Sequence, residues 1–357
     1  MKALALVALC GCSQIFGLHA PARGDGGGGG GDARTNDATD AHPGACVTQP
    51  DCPTSACLPD GSCAADTDVA WLDPASTVTT PCTMAMPCYR LYDALQTGRP
   101  YIRVHGTISN LSGVNRAVTI FGEPGAAFGN AMQSLSITAN VAVYDLQLAV
   151  CLQASAGASL TLGRVVVNGC SGYGVTASGP LTMDRSTVSA NKNGGIQLNA
   201  NGSAQFTITN SFIVGNDSQQ QSQFGAIDIS SSSIAPGSRL DFNTIVDNNA
   251  KSAGTAAGGV YCNDPTFTAT GNIISHNLVA ADPQAPNANT LGICSFSASI
   301  IQADVTSLAF IPGGYHIGPT SSAIDVAGLT STLDHDFDGQ SRPFGAGYDV
   351  GADEYHP

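Results

Sequence analysis

Between Val141 and Cys294 the chain places apolar and polar residues in short alternating bursts that recur along its length. Set under one another, the bursts read VAVYDLQLAVC, LTLGRVVVNGC, LTMDRSTVSAN, FTITNSFIVGN, LDFNTIVDNN and FTATGNIISHN. Each opens with apolar residues two apart, as in Val141/Val143, Leu160/Leu162, Leu181/Met183, Phe206/Ile208 and Leu240/Phe242. That period puts both side chains on one face of a strand. A β-branched run follows and ends in a turn at Gly169, Asn191, Asn216, Asn248 or Asn277. Four units then add a small residue before an apolar one: Gly174-Val175, Gly195-Ile196, Ala226-Ile227 and Gly259-Val260. A repeat of roughly 20 to 33 residues marks a stacked, quasi-one-dimensional architecture. Strands this short, with so few helix formers, exclude leucine-rich and helical repeats.

The expected fold is therefore all-β, a parallel β-helix in which each repeat is one rung. Ahead of it, Pro87 to Gly98 reads as a short amphipathic helix with Leu91, Ala94 and Leu95 on one face and Gly98 as its C-cap. Pro100 to Ile108 returns as a strand. A first rung exposes strand edges and an open core, so an apolar helix face is needed to cover it. This helix–Gly–strand–Gly opening resembles the way the pectin-lyase-like superfamily begins its right-handed β-helix. At the other end, Leu333 to Pro343 and Tyr348 to Tyr355 resemble the D-x-D-G-x-x-R-P … D-[IV]-G-A-x-E-[YF] ending of exported parallel β-helix repeat proteins. The resemblance implies a right-handed coil whose tail covers the last rung, with Arg342 paired to Asp349 or a neighbouring carboxylate. It extends to a superfamily that holds polysaccharide lyases and glycoside hydrolases, and the same architecture hosts adhesins and inert surface proteins.

Composition changes the picture mainly at the ends. The formal charge is -14, but acids and bases nearly balance between Tyr89 and Ala323, and the excess acid lies before and after that body. A near-neutral body with acidic ends offers no phosphate-binding face, which excludes nucleic acid as a partner. Lys2 followed by Ala3 to Leu9 is a charged region and a short apolar run. Leu9-Cys10-Gly11-Cys12-Ser13 then resembles the bacterial lipoprotein box, which implies a diacylglyceryl group on Cys12; Ser13 after it implies the outer membrane. An ordinary secretory leader is the competing reading. Residues Gly24 to Gly44 hold almost no apolar side chain and read as an acidic tether. The chain then divides into a leader (1–11), a lipid-anchored linker (12–45), a cysteine-rich module (46–88), the β-helix (89–324) and a C-terminal cap (325–357). The expected state is a monomer held to a membrane by lipid alone.

Twelve cysteines point to an oxidising compartment. Cys46, Cys52, Cys57 and Cys63 crowd into one short stretch with Pro53, Pro59 and Gly61 as turns. A metal site would favour Cys-x2-Cys spacing and histidine, so a two-disulfide knot is the expected form, with three connectivities open. The stretch resembles short cysteine-rich modules on secreted proteins of myxobacteria. Cys82 and Cys88 are placed to close a small loop. Cys151 follows Val141, and Cys170 follows Leu160, at the same distance, so the two occupy equivalent places on consecutive rungs. Stacked strands lie ~4.8 Å apart, within the Cα range of a disulfide. Cys262 and Cys294 stand one rung apart with a one-residue offset, and both pairs are expected to be bonded.

Candidate chemistry is sparse. Unit length grows through Asp217–Gln223, Asn249–Ala257 and Leu278–Thr290, each after the Asn turn of its rung, so the three insertions should line one flank. Asp217, Gln219, Gln221, Lys251, His276 and Asp282 are the polar candidates there, and a plain solvated loop is the alternative reading of each. Polysaccharide cleavage needs two carboxylates at a defined separation, or a base beside a cation. Asp184-Arg185, Arg239-Asp241, Asp247 and His276 are the nearest material, and of these Asp247 and His276 are the candidate catalytic residues. The Asn series reads as turn hydrogen bonding. Asp334, Asp336 and Asp338 with Gly339 suggest a calcium loop, although Gly345 stands where an EF-hand would place its bidentate Glu. The expected function is therefore a surface protein that binds glycan or a neighbouring surface without cleaving it. A polysaccharide lyase or hydrolase and a structural envelope protein are the alternatives.

Overall fold

A computed structural model describes Cys46 and residues 48–357, apart from 200–203, 232, 252–254, 286–287 and 329–330. The leader, Cys12 and the acidic tether lie outside the described residues. The rest is a parallel β-helix with three faces. One face is a ten-stranded sheet that starts at Val69–Leu72 and ends at Ser295–Ser297. The other two belong to a fourteen-stranded sheet, joined through the long strand Gln147–Ala154, which pairs with Val166–Asn168 on one arm and Tyr173–Ala177 on the other.

The period-two pattern dictates the core. Ile102, Ile120, Val143, Leu162, Met183, Ile208 and Leu240 occupy successive register positions of the ten-stranded sheet, and all are essentially inaccessible to solvent. Each such side chain contributes about 1.5–3 kcal/mol by its removal from water. The helix is shorter than the sequence suggests, Leu91–Gln96, and buries Leu91, Ala94 and Leu95. Six residues cannot sustain a helix alone; this one is held by the core it covers. Gly98, at φ +74°, supplies the left-handed residue that ends it.

Two boundaries differ from the sequence reading. The ten-stranded sheet begins at Val69, inside the stretch assigned to the cysteine module, because Val69–Leu72 pairs in parallel with Tyr101–Val104. The C-terminal segment does not cover the last rung. It folds back along the outside of one arm, where Leu308, Ile317, Ala323, Val350 and Ala352 pack on the outward residues Phe212, Val246 and Ile273. Those outward positions are apolar, so the flank rather than the open end receives the tail.

The cysteine module also lies against the coil. Cys46 pairs with Cys57 and Cys52 with Cys63, and Cys82 pairs with Cys88. Arg103, 4% exposed, donates from Nη1 to the carbonyls of Cys52 and Ser55 and from Nε to Glu123 (2.9 Å), while its guanidinium sits 4.7 Å above the Trp71 ring. Cys151–Cys170 and Cys262–Cys294 link consecutive rungs with Cα separations of 5.1 and 5.6 Å. Cys262 is in register with Gly292, so Cys294 stands two residues past its partner position rather than one.

Candidate functional site

Two of the three turns in each rung place one residue in the left-handed region. Asp145, Arg164, Arg185, Asn210, Phe242 and Gly271 fill one series; Gly169, Ala190, Gly215, Asp247 and His276 fill the other. The residue after each left-handed position builds a ladder. Asn216 Nδ2 donates to Asn248 Oδ1 (2.8 Å), Asn248 Nδ2 to Asn277 Oδ1 (2.9 Å) and Asn277 Nδ2 to Asn289 Oδ1 (3.1 Å). A second ladder runs Ser186, Ser211, Asn243, Asn272 and Ser299, each side-chain oxygen taking the backbone N–H one rung earlier. The first ladder is visible as the Asn series; the second is the Ser or Asn after the left-handed residue, which the repeat alignment already superimposes. These amides are consumed by the fold and carry no ligand chemistry.

The three insertions pack on one another. Asn249–Ala250 pairs with Leu278–Val279, the Lys251 N–H reaches the Ser222 carbonyl (2.8 Å), and the Phe224 and Tyr261 rings stack at 4.2 Å. Among the described residues, their candidate polar side chains go to separate places. Asp217 is buried and its carboxylate accepts the N–H groups of Gln221 (2.6 Å) and Ser222 (2.7 Å), so it shapes its own loop; burial raises its pKa. Gln219, Gln221, Lys251 and Asp282 are exposed, and Asp282 accepts the Gln284 N–H. His276 is elsewhere: it occupies the left-handed turn before Asn277, facing Asp247 at 2.6 Å.

Asp247 also accepts the Tyr315 hydroxyl (2.8 Å), so Asp247 and His276 meet the C-terminal segment rather than an open groove. A pair made of one carboxylate and one imidazole is not the acid pair of glycoside hydrolysis. The tail brings two further His–Asp contacts to the flank. His335 Nε2 lies 2.9 Å from Asp184 and its Nδ1 2.7 Å from Asp334. His316 Nδ1 lies 3.0 Å from Asp353 and 3.4 Å from Asp338.

The three alternating aspartates diverge. Asp334 goes to His335, Asp336 is fully buried and accepts the Gln340 and Glu354 N–H groups, and Asp338 faces His316. The three carboxylates therefore do not converge on one point. Among the described residues outside the disulfide knot, His316, Asp338 and Asp353 are the set whose ligand-type atoms all fall within 4.8 Å of one another. Arg342 is fully buried 3.2 Å from Glu354, with its guanidinium 4.6 Å from the Phe242 ring. Its carboxylate partner is thus Glu354 and not Asp349.

A further surface runs beside the cysteine module, where Tyr101 packs against the cluster of Ala56, Ala64, Val69, Trp71 and Phe121. The outward row Tyr101, Thr119, Ala142 and Thr161 follows the register of the ten-stranded sheet across four rungs. With Pro100, Ala117, Asn140 and Ser159 it lines a shallow trough in which no lining residue carries a charge. Its polar groups are hydroxyls and an amide, and the Tyr101 ring, 6.2 Å from that of Phe121, forms one wall. The beginning of this row, within Pro100 to Ile108, is legible in the sequence only as a strand; the trough depends on register between rungs.

No family model and no curated protein matches the chain. Among solved structures, the crystal structure of pectate lyase Pel9A overlaps 82% of this chain and all of its own at 11% identity, with a TM-score of 0.41. Overlap at this level says nothing about the chemistry of the trough.

Proposed function

We propose that this is an exported surface lipoprotein whose β-helix binds a glycan along the Tyr101–Thr161 trough without cleaving it. The observation that carries the reading is the trough's lining: hydroxyls, one amide and an aromatic wall, with no charge. Hydroxyl and amide groups match the donors and acceptors of an uncharged sugar, and an aromatic face covers its apolar side. A uronate would want a cation here, and hydrolysis would want two carboxylates. Four rungs span about 14 Å along the coil, room for a short stretch of a chain ligand.

Glycan-array binding by the intact protein tests the reading, with Tyr101→Ala and Thr161→Arg expected to abolish it. Release of reducing ends or unsaturated uronate would overturn the non-catalytic part. Loss of such cleavage on changing Asp247 or His276 would establish the lyase or hydrolase reading. Anchoring at Cys12 rests on the leader and on the five disulfides of the described chain, which suit an oxidising compartment. Cys12→Ser is expected to move the protein from the membrane to the soluble fraction.

A further inference from the structure

We propose that two copies of this chain associate through the open C-terminal end of the coil, related by a twofold axis. The two ends of the solenoid are treated differently. At the first, the helix Leu91–Gln96 covers the core. At the last rung, Thr290–Gly292, Ser295–Ser297 and Ile300–Gln302 are each the terminal strand of their sheet arm, paired on one side alone. Phe296 and Ile301 continue the inward columns of Ala269 and Ile274, whose side chains are fully buried, yet Ile301 is 42% exposed and the neighbouring Ile293 56%. The core is therefore cut open here, with three unpaired strand edges around it.

Among the described residues, the chain supplies no cover for this end. The C-terminal segment is committed to the flank down to Tyr355, and the tether from Gly24 to Gly44 lacks the apolar side chains to fill an open core. Nor is the edge guarded. Soluble proteins protect such edges with charges, but Ala288 to Ala303 contains no Asp, Glu, Lys, Arg or His. That composition selects the occupant. A chain of net charge -14 repels its own copies over its acidic surfaces, and this end lets two copies meet without bringing like charges together. The capped first end bars head-to-tail stacking, so the contact is isologous and closes as a dimer instead of growing into a fibre. A twofold axis across the end sets the two sets of edge strands antiparallel, a pairing their free N–H and carbonyl groups accept.

Size exclusion with light scattering on the full chain tests this, beside Ile293→Glu and Ile301→Glu. Ile293 and Ile301 are 56% and 42% exposed at the end of the coil, so the variants are expected to keep the parent circular dichroism and melting temperature. The expected result is a dimer whose mass falls two-fold in the double variant. A parent that is monomeric at every concentration overturns the proposal, as does a dimer that survives both substitutions or an assembly that grows into filaments.

Discussion

His335 Nε2 lies 2.9 Å from Asp184 Oδ2, although 151 residues separate them, and the contact ties the C-terminal segment to the middle of the coil. The hydrogen bond that His335 donates to Asp184 raises the His335 pKa above 6.5, against the opposing effect of burial. Burial alone would raise Asp184, but its bonds with His335, Thr209 and Asn210 outweigh this and hold it below 3.8. A histidine raised in the folded state contributes stability that is complete below its unfolded value and is lost as pH rises through the folded one. A depressed carboxylate contributes above its unfolded value and loses that contribution as pH falls through the folded one. The contact is thus strongest between about pH 4 and 6.5. Both groups are about one-third exposed, which limits the effect to about 0.5–1 kcal/mol. Protection of the amides at residues 333–342, corrected for intrinsic exchange at each pH, is expected to fall from pH 6 to 8.5, and His335→Ala should remove that fall.

Arg342 supplies the second attachment, from the interior. It is buried with Glu354, Asp336 and Asp349 around it, and it donates to the Gly351 carbonyl from both Nη1 and Nη2 (3.1 Å each). Removing the guanidinium leaves buried carboxylates without compensation. Arg342→Ala is expected to cost about 3–5 kcal/mol in denaturant unfolding. Arg342→Lys should recover little, because an ammonium cannot span Glu354, Gly351 and the Phe242 ring together.

Asn248 occupies the centre of its ladder. Its Oδ1 accepts from the backbone and side chain of Asn216, and its Nδ2 donates to Ile213, Val246 and Asn277. Asn248→Ala orphans these groups and is expected to lower stability by about 1–3 kcal/mol. Asn248→Asp keeps the shape but turns an acceptor toward the Ile213 and Val246 carbonyls and Asn277 Oδ1. It should be the more damaging of the two in thermal melts, an order opposite to one set by side-chain volume.

What could be read from the sequence follows from periodicity. Columns such as Val143, Leu162 and Met183 are legible because a strand repeats every two residues and the coil repeats whole rungs. The left-handed turns are not: Arg164, Arg185 and Phe242 occupy a conformation that costs a side chain roughly 1–2 kcal/mol, so nothing in their identity announces it. The tail's destination was hidden for a related reason. Phe212, Val246 and Ile273 sit in apolar runs whose outward members look like core, and only the three-dimensional turn shows that they face away from it. Asp217 and His276 both fall beside the Asn turns, yet one turns inward to cap its loop and the other meets Asp247. Sequence spacing alone cannot separate those directions.

The two inter-rung disulfides should behave differently when removed. Cys151–Cys170 joins rungs that have neighbours on both sides, so the strands it constrains open only with the whole coil. Its loss through Cys151→Ser is expected to lower global stability by about 3 kcal/mol, the cost of freeing a loop of this length in the unfolded chain. Cys262–Cys294 instead pins the terminal rung, whose strands pair on one side only. That rung can detach by itself once the bond is gone, because few buried contacts resist it. Cys294→Ser is therefore expected to speed hydrogen exchange at residues 290–302 strongly while shifting the melting temperature less than Cys151→Ser does. Equal shifts in both measurements for the two variants would mean that the last rung unfolds only with the rest of the coil.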